Sequence, residues 1–185
     1  MKRLTAFVRD TKSSAKIAGV LVGITLFGWC VSCSLKTEVR PAARQLVRLV
    51  EIIHRNFQTK PDFWKLNSAW LIDNNMVPQE MRSGRQIINA LGKPVEVGSG
   101  IEGQMLMPGA RSFDIVYKNL TKRECAALAS YDYPQTQTLG LISLTVINGA
   151  EEKNLVWGEE NGLPLSAEEA GELCKKQNML IWNFE

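Results

Sequence analysis

The sequence predicts an α+β fold in which a long N-terminal helix, membrane-embedded in its first half, packs on a small antiparallel sheet. An uninterrupted apolar run leads into an amphipathic repeat, which predicts the helix. Short β-branched segments and two capping-box patterns follow, which predict strands alternating with short helices. The 185 residues, with 14 Gly and 7 Pro, suit one compact domain and exclude a collagen-like or disordered chain.

The apolar run extends from Ile17 to Leu35 and contains no charged side chain. As a helix it would be roughly 28 Å long, close to the hydrocarbon thickness of a bilayer. We therefore expect a retained transmembrane anchor.

Two other interpretations of this run remain open. A cleaved signal peptide has an apolar region of about 7–15 residues that ends at a small-x-small site, which Trp29 and Cys30 fit poorly. A lipoprotein signal would place the lipid on Cys33. Val31 and Ser32 suit that signal, whereas Cys30 stands where an aliphatic residue is expected. If the run lies in lipid, Cys30 and Cys33 are expected to be small packing residues rather than a redox or metal-binding pair.

The charge distribution predicts the orientation of the chain. Residues 1–16 contain five basic residues and one acidic residue, Asp10, and segments rich in Lys and Arg stay cytoplasmic. We expect a basic cytoplasmic leader (1–16), a transmembrane and amphipathic long helix (17–57), and an α+β head (58–185). The long helix would cross the inner membrane, and the head would lie on the periplasmic side. The whole chain has 22 basic and 19 acidic residues, and when the five basic residues and Asp10 are subtracted, residues 17–185 have a net charge of −1. The part of the chain expected to fold therefore has no excess of positive charge, which argues against nucleic-acid binding.

Residues 36–57 are expected to continue the helix with an amphipathic surface. Pro41 removes one backbone donor and would kink such a helix, which would be about 60 Å long from Ile17 to Phe57. Its apolar stripe can be buried only against the rest of the chain. The stripe consists of Val39, Leu46, Val47, Leu49, Val50, Ile53 and Phe57.

The head is predicted to contain short elements. Thr121 and Ser166 each precede a glutamate by three residues, a capping box that predicts helices over Thr121–Ala129 and Ser166–Lys176. Another helix is expected over Phe63–Asn75, with Phe63, Leu66, Trp70 and Leu71 buried. Strands are expected at the end of Ile87–Val97 and over Ser112–Tyr117, Leu141–Ile147 and Met179–Phe184.

Cys125 and Cys174 lie in the predicted head. If the head is exported, both thiols are in an oxidising compartment. A bridge between them would close a loop of about 50 residues and would stabilise the fold by roughly 4 kcal/mol in the chain-entropy model. The alternative is two free buried thiols.

No pattern in the sequence predicts catalysis, a cofactor or a metal site. The single histidine, His54, lies on the long helix and is expected to be structural or solvated. The glutamate pairs at 151–152, 159–160 and 168–169 are expected to be solvated, the last at a helix start. Trp64, Trp70, Trp157 and Trp182 are spaced as core or interface anchors.

Three stretches together resemble the type IV pilins, particularly the type IVb class. Ala69–Val97 is similar to that class's helix, x-V-P turn and I-x-N-x-x-G segment before the first strand. Phe113–Ser130 is similar to the strand and helix that carry the first disulfide cysteine. Ala167–Phe184 is similar to the terminal helix with the second cysteine and the last strand.

The resemblance implies a pilin-like fold, a disulfide between Cys125 and Cys174, and a structural role without catalysis or cofactor. It implies a filament subunit of a type IV pilus, or of a related secretion or conjugation machine. Such a subunit would assemble through its N-terminal helix with other pilins and the assembly machinery, after residing in inner-membrane lipid. The loops Gly98–Pro108 and Asp132–Gln137 are the expected contact sites, since loops carry recognition.

The N-terminus departs from the pilin pattern. Type IV prepilins carry a Gly cleavage site followed by Glu at the fifth mature position, and this chain has no acidic residue between Asp10 and Glu38. The departure favours a minor pilin or a pilin-like protein over a major subunit. The alternative is a membrane-anchored or lipid-anchored periplasmic domain that binds one partner without assembling.

Overall fold

The computed structural model describes residues 37–60, 62–99, 111–133, 139–149, 153–155 and 165–185. All of them belong to one compact unit, Leu35–Glu185. The predicted leader, the apolar run Ile17–Leu35 and its two cysteines lie outside the described residues. Among the helices of the described ranges, none is both long and apolar enough to cross a membrane.

The described part of the first helix, α1, covers residues 37–57 and confirms the predicted amphipathic helix. Its buried side chains recur every three or four positions, so one face lies against the sheet. The opposite face is exposed and carries four arginines and two glutamates. The buried face consists of Val39, Ala42, Ala43, Leu46, Leu49, Val50, Ile53 and Phe57.

The sheet of the described residues has seven strands, all paired antiparallel, in the order β1-β2-β3-β4-β7-β5-β6. The C-terminal strand therefore lies between β4 and β5, two strands that precede it in the sequence. The strands are β1 (Arg82–Ser83), β2 (Gln86–Ile88), β3 (Pro94–Gly98), β4 (Phe113–Leu120), β5 (Leu141–Asn148), β6 (Lys153–Leu155) and β7 (Asn178–Phe184).

Trp182 at the centre of β7 shows how the strands meet. It pairs with Ile115 of β4 on one side and with Leu144 of β5 on the other. Its indole is 1% exposed and lies edge-on to the ring of Tyr117, with centroids 5.1 Å apart. The core is therefore a layer of large side chains between the central strands and α1. The predicted α+β class, with a helix on a small antiparallel sheet, is confirmed.

The second helix, α2, is shorter than predicted and covers only Ser68–Asp73. Asn67 has an extended backbone, and its side-chain oxygen accepts a hydrogen bond from the Trp70 amide at 2.8 Å. An asparagine in this position caps a helix, so the helix cannot begin before it. Phe63 and Leu66 precede the helix, although Leu66 is fully buried as expected.

The helices α3 (Lys122–Ala129) and α4 (Ala167–Leu173) follow the predicted capping boxes. Thr121 and Ser166 each accept from the amide three residues later, and the glutamate at that position accepts from the amide of the capping residue. The prediction that α4 continues to Lys176 was wrong. Cys174 already has extended dihedral angles, φ −76° and ψ 132°, because the chain turns there toward β7.

Candidate functional site

A disulfide joins α3 to the end of α4. Cys125 and Cys174 are bonded, with Cα atoms 5.9 Å apart, and both residues are fully buried. The backbone amide of Cys125 donates to the Thr121 carbonyl at 2.9 Å, within the first turn of α3, and that of Cys174 donates to the Ala170 carbonyl at 3.1 Å. Each cysteine is thus held by its own helix, and the bridge attaches the C-terminal region to α3.

Two asparagines, which no pattern discussed above had indicated, stabilise the segment behind this disulfide. The Asn178 side chain accepts from the Lys175 amide at 2.6 Å and donates to the carbonyls of Lys175 (2.9 Å) and Leu120 (3.1 Å). Asn148, its partner across β5 and β7, donates to the Leu173 carbonyl at 3.4 Å. Both asparagines are buried, so these bonds replace water for three backbone carbonyls. For Asn178, which begins β7, an Asn at the first position of a strand was the available signal; Asn148 ends β5.

The exposed side of α1 forms a basic surface, called here the arginine face, that consists of Arg40, Arg44, Arg48 and Arg55. Arg48 pairs with Glu80, which lies in the 3₁₀ turn Gln79–Met81. In the described part of the chain, the other three arginines form no ion pair. The spacing of four residues between Arg40, Arg44 and Arg48 was visible in the sequence.

An open cleft of about 530 Å³ lies beside Arg48, between α1 and the segment Asn75–Arg82. Arg82 donates to the Asn75 side-chain oxygen at 2.9 Å on its wall. Ile52 and Val77 contribute apolar lining. The cleft is a broad surface depression with two guanidinium groups, and it has no buried polar group aimed into it.

Aromatic side chains surround the C-terminal end of α1. The Phe57 ring stacks on Phe63 with centroids 5.3 Å apart and meets Trp70 edge-on at 5.2 Å. The Lys60 ammonium lies over both Phe57 and Trp70, at 4.1 and 4.5 Å from the ring centroids. Trp64 is 42% exposed, so among the tryptophans singled out above only Trp182 is fully buried. Trp157 lies outside the described residues.

His54 is half-buried on α1 and packs against the aromatic core. Its ring lies edge-on to Phe113, with centroids 5.5 Å apart. Its Nε2 is buried without a hydrogen-bond partner among the described residues.

The acidic residues of the described ranges do not form a metal site. No group of three or more His, Cys, Asp or Glu side chains converges within these ranges. Glu169 accepts hydrogen bonds at the start of α4, and those from the Ser166 hydroxyl and amide lower the pKa of its carboxyl. The glutamates at 151–152 and 159–160 lie outside the described residues.

The two expected contact loops are only partly described. Gly98 and Ser99 begin the first, and residues 100–108 lie outside the described ranges. Asp132 and Tyr133 begin the second, and residues 134–137 lie outside. Tyr133 is buried and donates to the Leu128 carbonyl at 3.1 Å. Burial, followed by the nearby Tyr117 and Tyr131, raises the pKa of its hydroxyl.

A family model described as Bundlin matches residues 31–179. The chain belongs to the Bundlin family. That match spans the described part of α1, strands β1 to β6 and both cysteines of the disulfide, and it makes the chain a member of the type IV pilin family. No curated protein sequence matches this member of the family.

Solved structures agree with the family in fold. The type IVb pilin from Salmonella typhi superposes with a TM-score of 0.54 at 13% identity, covering 78% of this chain and 97% of that one. TcpA, a type IV pilin from Vibrio cholerae El Tor biotype, superposes with a TM-score of 0.53 at 14% identity, covering 80% and 99%. The Bundlin-family chain therefore has the fold of a structural pilin subunit.

Proposed function

We propose that this chain is a minor pilin or pilin-like subunit of a type IV pilus or of a related secretion or conjugation filament. The observation that carries the proposal is the Bundlin-family match to residues 31–179, on a chain that has a pilin fold. The charge-free run Ile17–Leu35 leads into α1 and supports assembly through the N-terminal helix.

The hydrophobic run supports two alternative environments for that helix. As a membrane anchor it would lie in lipid, with the basic leader in the cytoplasm and the head in the periplasm. In a filament it would leave lipid and pack against the apolar helices of other pilins. No charge in the run needs a partner, so its chemistry suits both environments.

The lack of an acidic residue between Asp10 and Glu38 supports a minor or pilin-like role. Major pilins use a Glu near the mature N-terminus for register with their neighbours. A subunit without it would depend more on contacts made by its head.

Shearing tests this proposal. Cells that express the full chain with a C-terminal epitope are sheared, and the sheared filaments are separated from membranes and immunoblotted. We expect the chain in the filament fraction, and we expect Ile24→Arg to abolish its presence there, because a charge at this position suits neither lipid nor an apolar helix bundle. Ile24→Leu is the matched control and should assemble normally.

The competing function, an anchored periplasmic binding domain, gives a different pattern. The wild-type chain would then remain entirely with the membranes, and deletion of its gene would leave pilus assembly unchanged. Intact mass and N-terminal sequencing of the recovered protein would distinguish a processed pilin, a lipoprotein with Cys33 acylated, and an uncleaved anchor.

A further inference from the structure

We propose that Arg40 and Arg44 on α1 of one copy bind Glu168 and Glu172 on α4 of a second copy, which makes these two helix faces one assembly contact. The inference rests on the proposed function and narrows it to a pilin-like subunit present in several adjacent copies, because the contact joins two copies of this chain in a filament.

The first half of the contact is an unpaired cationic ladder. Arg40 and Arg44 are four residues apart on the exposed side of α1, so their side chains project from the same face. Within the described ranges neither forms an ion pair, whereas Arg48 pairs with Glu80 and Arg123 with Glu38. Like charges at this spacing repel each other along a helix, which is an unfavourable arrangement unless a partner neutralises them.

The second half is the matching anionic ladder on α4. Glu168 and Glu172 are also four residues apart and exposed, and neither has an ion-pair partner in the described part of the chain. Glu169 is already used by the capping box with Ser166 and is left out of the contact. Lys175 and Lys176 follow beyond Cys174 and do not pair with either glutamate.

The two ladders have the same repeat. A helix rises about 1.5 Å per residue, so charges four residues apart are separated by about 6 Å along the axis on both helices. Two guanidinium groups can therefore face two carboxylates when the helices lie side by side, and guanidinium–carboxylate pairs form strong, directional hydrogen bonds. The match in sign, number and spacing is what identifies α4 of another copy as the occupant.

The symmetry of this contact also fits a filament. The arginine pair lies on α1 and the glutamate pair on α4, so in a filament each copy can offer its arginines to one neighbour and its glutamates to another. Such a heterologous contact continues as an open helical array when its rotation does not close into a ring. Anionic lipid headgroups could bind Arg40 and Arg44 instead, but they would leave Glu168 and Glu172 without a partner.

Charge reversal tests the contact in full-length protein. Four chains are expressed in cells: wild type, Arg40→Glu with Arg44→Glu, Glu168→Arg with Glu172→Arg, and all four substitutions together. Because reversal places like charges opposite each other, we expect each double variant to reduce the filament-bound amount at least about tenfold. The fourfold variant should recover most of the wild-type amount, since it restores both pairs with opposite polarity.

Matched controls separate this effect from net charge and from folding. Arg85→Glu with Lys122→Glu changes the charge by the same amount on exposed positions outside the contact and should assemble like the wild type. Equal membrane levels and an intact bridge between Cys125 and Cys174 show that a variant has folded.

Each outcome decides the proposal. Failure of the fourfold variant to recover, or normal assembly of either double variant, overturns it. If filament-bound protein is lost in the variant with Arg40→Glu and Arg44→Glu but not in the variant with Glu168→Arg and Glu172→Arg, the arginines bind an anionic lipid surface. That result also overturns the proposed contact. Absence of the wild-type protein from filaments would contradict the proposed function itself. This outcome is distinguishable from the three above, because they concern the variants and not the wild type.

A cross-link gives a measurement that does not depend on recovery. In filaments of the Arg44→Lys variant, a carbodiimide should join the new amine to the carboxylate of Glu168 or Glu172. Filaments made from a mixture of isotopically light and heavy chains should give mixed light–heavy linked peptides. Linked peptides of a single isotope, or linkage to other carboxylates only, would contradict the contact.

Discussion

The hydroxyl of Tyr117, at the centre of β4, donates a hydrogen bond to the backbone carbonyl of Ala42 in α1 at 2.9 Å. Both residues are fully buried. The carbonyl has a second lone pair beyond the one used within the helix, so the bond attaches α1 to the sheet without breaking the helix. In a pilin the head must stay attached to this helix. This bond is a directional polar contact within an interface that is otherwise apolar.

Tyr117→Phe should lower the free energy of unfolding by about 1 kcal/mol, because it removes one buried hydrogen bond and little volume. Chemical denaturation of the detergent-solubilised chain measures the change. Tyr131→Phe, which alters a half-buried ring near the surface, serves as the control and should change stability by less than about 0.5 kcal/mol.

The same tyrosine predicts a pH dependence. Burial raises the pKa of the Tyr117 hydroxyl above its ordinary value of about 10. Its contribution to stability is therefore complete below pH 10 and falls as the pH rises further, because the unfolded chain releases a proton that the folded chain retains. The wild type should lose stability more steeply than Tyr117→Phe above pH 10, by about 1.4 kcal/mol per pH unit. Equal slopes for the two proteins would refute the assignment.

The disulfide predicts a specific chemical state and a large stability effect. Peptide mapping after alkylation without reductant should recover Cys125 linked to Cys174, and recovery of both as alkylated thiols would exclude the bridge. Cys125→Ala with Cys174→Ala should cost roughly 4 kcal/mol in unfolding free energy, since the bridge closes a loop with a sequence separation of 49 residues. Denaturation under reducing and non-reducing conditions should differ for the wild type only.

Two aromatic residues should respond differently to truncation. Phe113 is fully buried and contacts the rings of His54, Phe63 and Phe184. Phe113→Ala should cost about 3–5 kcal/mol because it leaves a cavity in the core. Trp64→Ala, at a position 42% exposed, should cost far less in the same unfolding measurement. Comparable losses for both would show that Trp64 is part of the core.

The capping boxes predict a smaller, local effect. Thr121→Ala removes the side-chain oxygen that accepts from the Glu124 amide at 3.3 Å, and should destabilise the chain by about 1 kcal/mol. Thr121→Ser keeps that oxygen and should be close to the wild type. Amide hydrogen exchange in α3 reports the change directly, and it should increase for Thr121→Ala alone.

Local patterns in the sequence were enough to predict several elements. The repeat from Val39 to Phe57 predicted α1, because an apolar stripe of that period can be buried only on one side of a helix. Thr121 and Ser166 predicted the starts of α3 and α4, because capping depends on residues three positions apart. The predicted start of α2 was wrong because Asn67 caps the helix within an apolar pattern that by itself favours an earlier start.

Contacts between residues far apart in the sequence arise from the folded arrangement of the strands and helices. Insertion of β7 between β4 and β5 depends on pairings such as Ile115 with Trp182, which no local pattern encodes. The bond from Tyr117 to Ala42 spans 75 positions, and that from Asn178 to Leu120 spans 58. Periodicity and capping are properties of neighbouring residues, so the sequence was enough to predict the fold class, α1 and the starts of α3 and α4. Strand order and buried polar contacts arise from the packing of the whole chain, so they became visible only once the chain was folded.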